Sequence, residues 1–230
     1  MYKVVKRAMD FIIALCALIV LSPVMMIVAI LVKATSPGPA IFVQQRVGKD
    51  GKVYDMYKFR SMCVGAEQQE GGVFCTKGDA RVTKVGKFIR ATSIDELPQL
   101  VNIIKGEMAL IGPRPVLTYY PKNWDEYTKE ELKRFDVLPG VTGWAAVHGR
   151  KTNTVEARFA YDNYYVDNLS MWLDIKILFM TVKSVLTNEG NEDDGSAEVV
   201  SSPDITYSSG TPKNFAIFNK SSRLGFLPGL

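Results

Sequence analysis

The chain has 230 residues, a net charge of +4 and 47% hydrophobic residues, enough for one membrane segment and one compact domain but not for a second large domain. Three cysteines, with Cys16 inside an apolar run, do not make a disulfide framework and agree with a reducing compartment. The single histidine, His148, rules out histidine-based ligand clusters and reads as a loop or packing residue, and Cys63 and Cys75 lack partners at zinc spacing.

In chain order the first element is an uncharged apolar run over residues 11–32. As a helix it would be about 33 Å long, enough to cross a bilayer core of about 30 Å. Ser22-Pro23 interrupts it near its midpoint. Pro23 removes the N–H that would bond Ile19 and its ring crowds that carbonyl, which predicts a bend, while Ser22 can satisfy the freed oxygen. Each half then reaches one leaflet. Lys3, Lys6 and Arg7 precede the run and Lys33, Arg46, Lys49 and Lys52 follow it, and cationic flanks stay cytoplasmic. The expectation is a re-entrant helix-break-helix over residues 1–36, with Ser22 and Pro23 as the membrane break, entering and leaving by the cytoplasmic face. A kinked spanning helix is the competing reading. The run is long for the apolar core of a signal peptide, and no small-residue cleavage site follows.

Residues 37–187 read as a small cytoplasmic domain, making the fold class α+β and mostly helical. Residues 40–47 and 53–59 alternate around an Asp50-Gly51 turn, predicting a β-hairpin. Residues 65–78 are glycine-rich and polar, the pattern of a mobile loop. Over 80–90, Val82, Val85, Phe88 and Ile89 share a helical face, with Arg81, Lys84, Lys87 and Arg90 over the rest, either solvated or against headgroups or phosphate. Ser93 and Glu96 have capping-box spacing, but Pro98 fits a helix start nearer Asp95 better. Both readings place Asp95 and Glu96 in a first helical turn, where free N–H groups and the dipole stabilise anions. Lys105-Gly106 closes that helix. Arg114 stands between Pro113 and Pro115 in a stiff loop, residues 139–144 form a second stiff turn, and 169–186 reads as a core or interfacial helix.

From 188 to 230 the chain turns polar and acidic, with six acids against three bases, the signature of a disordered tail that could still dock. Its net −3 leaves +7 on residues 1–187, a basic body suited to an anionic membrane surface or phosphorylated substrates. No aromatic-basic motif of a nucleic-acid reader is present.

Adjacent carboxylates are a weak signal alone, because neighbouring helical positions diverge by about 100°. Asp95 and Glu96 gain weight from Arg90, Lys58, Arg60 and Arg114, since cations grouped with carboxylates suit a site for phosphate and Mg²⁺, though they also suit structural ion pairs. Over residues 1–187 the chain resembles the bacterial sugar transferases, the monotopic phosphoglycosyl transferases. The likeness rests on Ser22-Pro23, the run Lys58-Phe59-Arg60-Ser61-Met62, Arg90 ahead of Thr92-Ser93-Ile94-Asp95-Glu96-Leu97-Pro98-Gln99-Leu100, Gly112-Pro113-Arg114-Pro115, and Pro139-Gly140-Val141-Thr142-Gly143-Trp144.

The resemblance implies transfer of a sugar 1-phosphate from a UDP-sugar to undecaprenyl phosphate at the cytoplasmic face of the inner membrane, with release of UMP and initiation of glycoconjugate assembly. It implies Asp95 as the nucleophile of a covalent phosphosugar intermediate, Glu96 in proton handling, and both as Mg²⁺ ligands. Arg90, Arg114, Lys58 and Arg60 become phosphate contacts, and Pro113 and Pro115 shape a nucleotide loop. Membrane lipid, downstream glycosyltransferases and a second copy of the chain are candidate partners. The chain departs from the usual pattern at Glu107, Ala146 and His148, which leaves the sugar open, and Asp162, Asp167 and Asp174 fall in an acid-rich family region without an assigned role. The alternatives are a noncatalytic membrane-anchored lipid-binding scaffold and a Mg²⁺-dependent phosphohydrolase.

Overall fold

The apolar run folds as part of one helix, α1 (Tyr2–Thr35). The computed structural model describes residues 2–69, 72, 78–148 and 154–187; the tail from 188 and part of the predicted glycine-rich loop lie outside the described residues. The helix continues through Pro23 rather than breaking into two helices. Ser22 explains this in part: its Oγ donates to the Ile19 carbonyl at 2.8 Å, filling the acceptor that proline leaves bare. By length and composition α1 could cross a membrane. Yet it meets the domain in both halves, through Asp10 and Ala14 before the proline and Val28 and Val32 after it, while Ile19, Val20, Ser22, Pro23 and Val24 are exposed.

The predicted hairpin is present as β1 (Ile41–Val47) and β2 (Val53–Phe59), paired antiparallel with Ile41 opposite Phe59 and Val47 opposite Val53. α2 (Lys84–Ala91) is capped by Thr83, whose hydroxyl accepts from Gly86 N at 2.9 Å. Its buried face is narrower than the periodicity suggests: Ile89 is buried, but Phe88 points outward and Val82 lies ahead of the helix in a bridge to Met62. Arg81 is also ahead of the helix, buried and bound to Asp79 and to the Ala66 and Gly72 carbonyls rather than facing lipid. α3 (Gln99–Lys105) ends at Gly106, as expected, with φ +88.

Then come β3 (Ala109–Ile111), β4 (Val116–Leu117) and the single-turn α4 (Lys129–Leu132), followed by β5 (Gly140–Thr142) and another single turn, α5 (Trp144–Val147). α6 (Val155–Asp167) and α7 (Met171–Thr187) complete the described chain. One sheet has the order β2-β1-β4, and a second pairs β3 with β5 in parallel.

The core includes the long apolar helix α1. Ala14 packs with Tyr54, Met56, Leu100, Ile103 and Met108, and Val28 and Val32 pack with Phe59 and Ile89. Ile103 and Met108 are fully buried, each contributing about 1.5–3 kcal/mol of burial. Two arginines fasten the ends of these elements. Arg7 donates to the Ile103 and Ile104 carbonyls at 2.7 and 3.2 Å, satisfying the end of α3. Arg60 Nη2 donates to the Ser36 carbonyl and hydroxyl, both at 2.8 Å, just past the end of α1. α7 buries Leu173 and Ile177 and turns Trp172, Leu178, Phe179 and Val182 outward, so it is a core helix with an apolar outer face.

Candidate active site

The hairpin register sets the floor of the site. Arg46 faces Tyr54 and Phe42 faces Lys58 across the ladder, so Arg46, Tyr54, Met56 and Lys58 share one face. Tyr54 and Met56 sink into the core, leaving the two cations at the edge of a small cleft lined also by Glu96, Gln99, Arg114, Pro115, Gly140 and Val141.

Glu96 arrives from a 3-10 turn, Ile94–Glu96, between α2 and α3. Ser93 holds φ +56 and turns the chain out of α2. The capping box does not form, because Ser93 makes no side-chain cap bond. The Glu96 carboxylate instead turns to the cations, with Oε1 3.3 Å from Lys58 Nζ and 4.0 Å from Arg114 Nη1. Asp95 and Glu96 thus precede the helix that holds Leu100 and Ile103, on a tight turn that lets neighbouring side chains diverge. Glu96 is buried, and Asp95 is half-buried.

Arg114 is presented by a loop fixed through its backbone. Gly112 N donates to Thr142 O and Gly140 N to Pro113 O, each at 2.9 Å. Cβ atoms at Gly112 or Gly140 would collide with the facing backbone, so glycine is what permits the two stiff turns to lie against each other. Arg46 Nη1 donates to Pro115 O at 3.1 Å, Arg134 Nη2 to Arg114 O at 2.6 Å, and Tyr165 Oη to Ile111 O at 3.1 Å.

Lys58, Glu96, Arg114 and Pro115 are therefore brought to one cleft, with Asp95 adjoining in sequence. Pro113 serves the loop through its carbonyl. Arg90 sits in the last turn of α2 and does not line the cleft. Arg60 is buried against the end of α1 and is not drawn to the site. Arg46 and Gln99 are cleft residues that the sequence reading missed, although the period-two spacing of Tyr54, Met56 and Lys58 against Arg46 carried a signal for the arginine. Asp162 and Asp174 acquire partners in Arg134 and in Lys6, Tyr2 and Tyr165, while Asp167 pairs with Lys133 at the surface. Glu107 lies away from the cleft, paired with Lys105 and bound by the Asn102 amide, and His148 stacks on Tyr161 and meets Trp144 at a tilt.

The cleft is overloaded with positive charge. Burial lowers the Lys58 ammonium below its ordinary range; Glu96 opposes that shift and Arg114 adds to it. Burial, then Arg114, pushes the Arg46 guanidinium down to about 10. Three cations around one buried carboxylate make a receptor for further negative charge. Among the described residues no three His, Cys, Asp or Glu side chains gather as a metal cage. The carboxylates available to a Mg²⁺ here are Glu96 and, next to it in the chain, Asp95, and that ion commonly takes one or two carboxylates and completes its shell with water and phosphate.

A cation-rich cleft whose floor shares a core with a long apolar helix is suited to handling phosphates at a lipid surface. The chain belongs to the bacterial sugar transferase family, whose profile matches residues 1–188. It is 45% identical over 192 residues to a UDP-N-acetylgalactosamine-undecaprenyl-phosphate N-acetylgalactosaminephosphotransferase of Aeromonas hydrophila, a match covering 82% of this chain and 45% of that protein. It is 41% identical over 192 residues to the UDP-glucose:undecaprenyl-phosphate glucose-1-phosphate transferase of Escherichia coli K12, covering 81% and 41%. The exopolysaccharide production protein PSS of Rhizobium leguminosarum is matched at 41% over 192 residues, covering 80% of this chain and 96% of the relative. The match thus spans less than half the length of the first two of these relatives.

Proposed function

We propose that this chain transfers a sugar 1-phosphate from a UDP-sugar to undecaprenyl phosphate and releases UMP. The observation that carries the reading is the convergence of Arg46, Lys58 and Arg114 on the cleft beside Glu96, which Asp95 immediately precedes in the chain. A diphosphate supplies the negative charge that this cleft lacks, and the names of the Aeromonas and Escherichia relatives supply the class of donor and acceptor.

In this mechanism an Asp95 carboxylate oxygen attacks the sugar-bearing phosphorus, forming an O–P bond as the bond to UMP breaks. UMP leaves with the electron pair of that bond, and Arg114 and Arg46 stabilise its developing charge. A phosphate oxygen of the lipid acceptor then attacks the same phosphorus and frees Asp95. The half-buried Asp95 suits the nucleophile better than the buried Glu96. Asp95 and Glu96 would hold Mg²⁺, which when bound neutralises charge on the diphosphate. The acceptor explains α1: contacts in both halves of the helix and an exposed midpoint support a re-entrant segment, its domain resting on the cytoplasmic face of the inner membrane. The outward Trp172 and Phe179 of α7 suit the same interface.

The test is incubation with UDP-glucose and UDP-N-acetylgalactosamine labelled in the sugar phosphate, followed by undecaprenyl phosphate. The expected result is a labelled enzyme that is chased into lipid, with both label and UMP release abolished in Asp95→Asn. Normal turnover in that variant refutes the nucleophile, and lipid binding without labelling or UMP release returns the chain to a scaffold.

A further inference from the structure

The strongest unused feature is a buried ion pair behind the Arg114 loop. Arg134 Nη2 lies 2.7 Å from Asp162 Oδ2, and each side chain is 1% exposed. The guanidinium is walled by rings: its carbon is 4.5 Å from the Phe159 centroid and 5.4 Å from that of Phe135, and Tyr127 packs against both phenylalanines. Burial drives Asp162 toward protonation and Arg134 toward its neutral form, and each is the other's chief opposing charge. For stability alone such a pair is a poor choice, because well-packed apolar side chains of similar volume hold a core equally well or better.

One feature of the pair would be lost in an apolar substitute: Arg134 Nη2 also donates to the Arg114 carbonyl at 2.6 Å. Asp162 is linked to the same residue through space, since Arg114 is among the cations that favour its ionised form, after Arg134 and Arg158. The Arg114 backbone is thereby pinned to α6 from behind while its guanidinium faces Glu96 in front.

We propose that Arg134 and Asp162 are a positioning pair that sets the reach of Arg114 toward the substrate diphosphate. The proposal rests on the reading of Arg114 as a diphosphate contact. Neither residue touches the cleft, so their effect passes through one backbone carbonyl.

The test replaces the pair with apolar groups in Arg134→Met/Asp162→Leu and measures thermal unfolding, UMP-release kinetics with UDP-glucose and UDP-N-acetylgalactosamine, and amide exchange over residues 112–117. The double variant is expected to melt within a few degrees of wild type, to exchange faster over 112–117, and to lose about thirtyfold in kcat/KM, mostly through KM. Adding Arg114→Ala should then cost less than about threefold more, although Arg114→Ala alone costs as much as the double variant. Unchanged kinetics, or losses that multiply with Arg114→Ala, overturn the proposal. Should the double variant fail to fold, Arg134→Lys retains the charge but replaces the planar guanidinium, whose Nη2 meets both Asp162 and the Arg114 carbonyl, with a shorter-reaching ammonium on a flexible stem; it is expected to raise KM and to speed exchange over residues 112–117, and a wild-type KM there overturns the proposal. If wild type itself releases no UMP, the transferase reading fails, and the exchange measurement alone decides: unchanged exchange over 112–117 overturns the positioning role.

Discussion

Replacing Lys58 by methionine isolates the electrostatics of the cleft, because the side-chain stem is retained and only the charge is lost. Lys58 Nζ and Glu96 Oε1 are 3.3 Å apart, which at an effective dielectric of about 20 is an attraction of roughly 5 kcal/mol. Desolvation of both groups offsets part of it. With the side chains 17% and 9% exposed, removing one partner strands a mostly buried carboxylate, and the lower end of the usual range, about 3 kcal/mol, applies. Arg114 compensates little, being 4.0 Å away and 38% exposed, where solvent screens it. For a chain of this size about 3 kcal/mol corresponds to roughly 6–12 °C in melting temperature. Thermal unfolding in detergent micelles should show that loss in Lys58→Met and recovery of most of it in Lys58→Met/Glu96→Gln, with UMP release lost in both. A single variant that melts with wild type, or a double variant that melts below the single, would refute the account of Lys58 as the counterion of Glu96.

Two further outcomes follow from the membrane helix. A cysteine at position 4, where Val4 is 76% exposed, should react with an impermeant thiol reagent only from the cytoplasmic side, with Cys16, Cys63 and Cys75 replaced; reaction only from the periplasmic side removes the re-entrant topology. Gly38→Ala should lower the melting temperature by roughly 4–8 °C, equivalent to about 2 kcal/mol, since φ is +106 there and the new Cβ meets Arg60 Nη1. An unchanged melting temperature would show that Arg60 can yield without loss.

What the sequence disclosed was what depends on neighbours along the chain. The hairpin was visible because two alternating runs flank Asp50-Gly51, and the end of α3 was visible because Gly106 supplies a left-handed terminus. The Asp95-Glu96 turn stood out as a pair of carboxylates but not as a shape. The spacing of Ser93 and Glu96 suggested a cap, whereas Lys58 and Arg114, distant in sequence, offered the carboxylate better partners. Arg60 misled for the converse reason: it belongs to a basic run with Lys58, yet it stands just past the end of β2, where it is buried against the end of α1. The pair of Arg134 with Asp162 spans 28 residues and had no local mark.

These long-range contacts change what the apolar segment is for. A helix that served only as an anchor would need no specific bond to the domain, but α1 is tied at both ends. At its start, Lys6 lies 2.8 Å from Asp174 and Tyr2 donates to the same carboxylate, which also accepts from Tyr165 at 2.7 Å. The single Tyr165 hydroxyl proton lies between that carboxylate and, at 3.1 Å, the Ile111 carbonyl, one residue before the Gly112–Arg114 loop, so the first turn of α1 and the loop presenting Arg114 meet at one tyrosine and one carboxylate. At the other end Arg60 binds Ser36, two residues along β2 and its exit from Lys58. The apolar helix α1 thus braces the loop on one side of the cleft and the strand on the other. In the transferase we propose, the depth of α1 in the lipid would set the height of Asp95 above the acceptor phosphate, and a helix detached from either brace would shift Arg114 relative to Lys58.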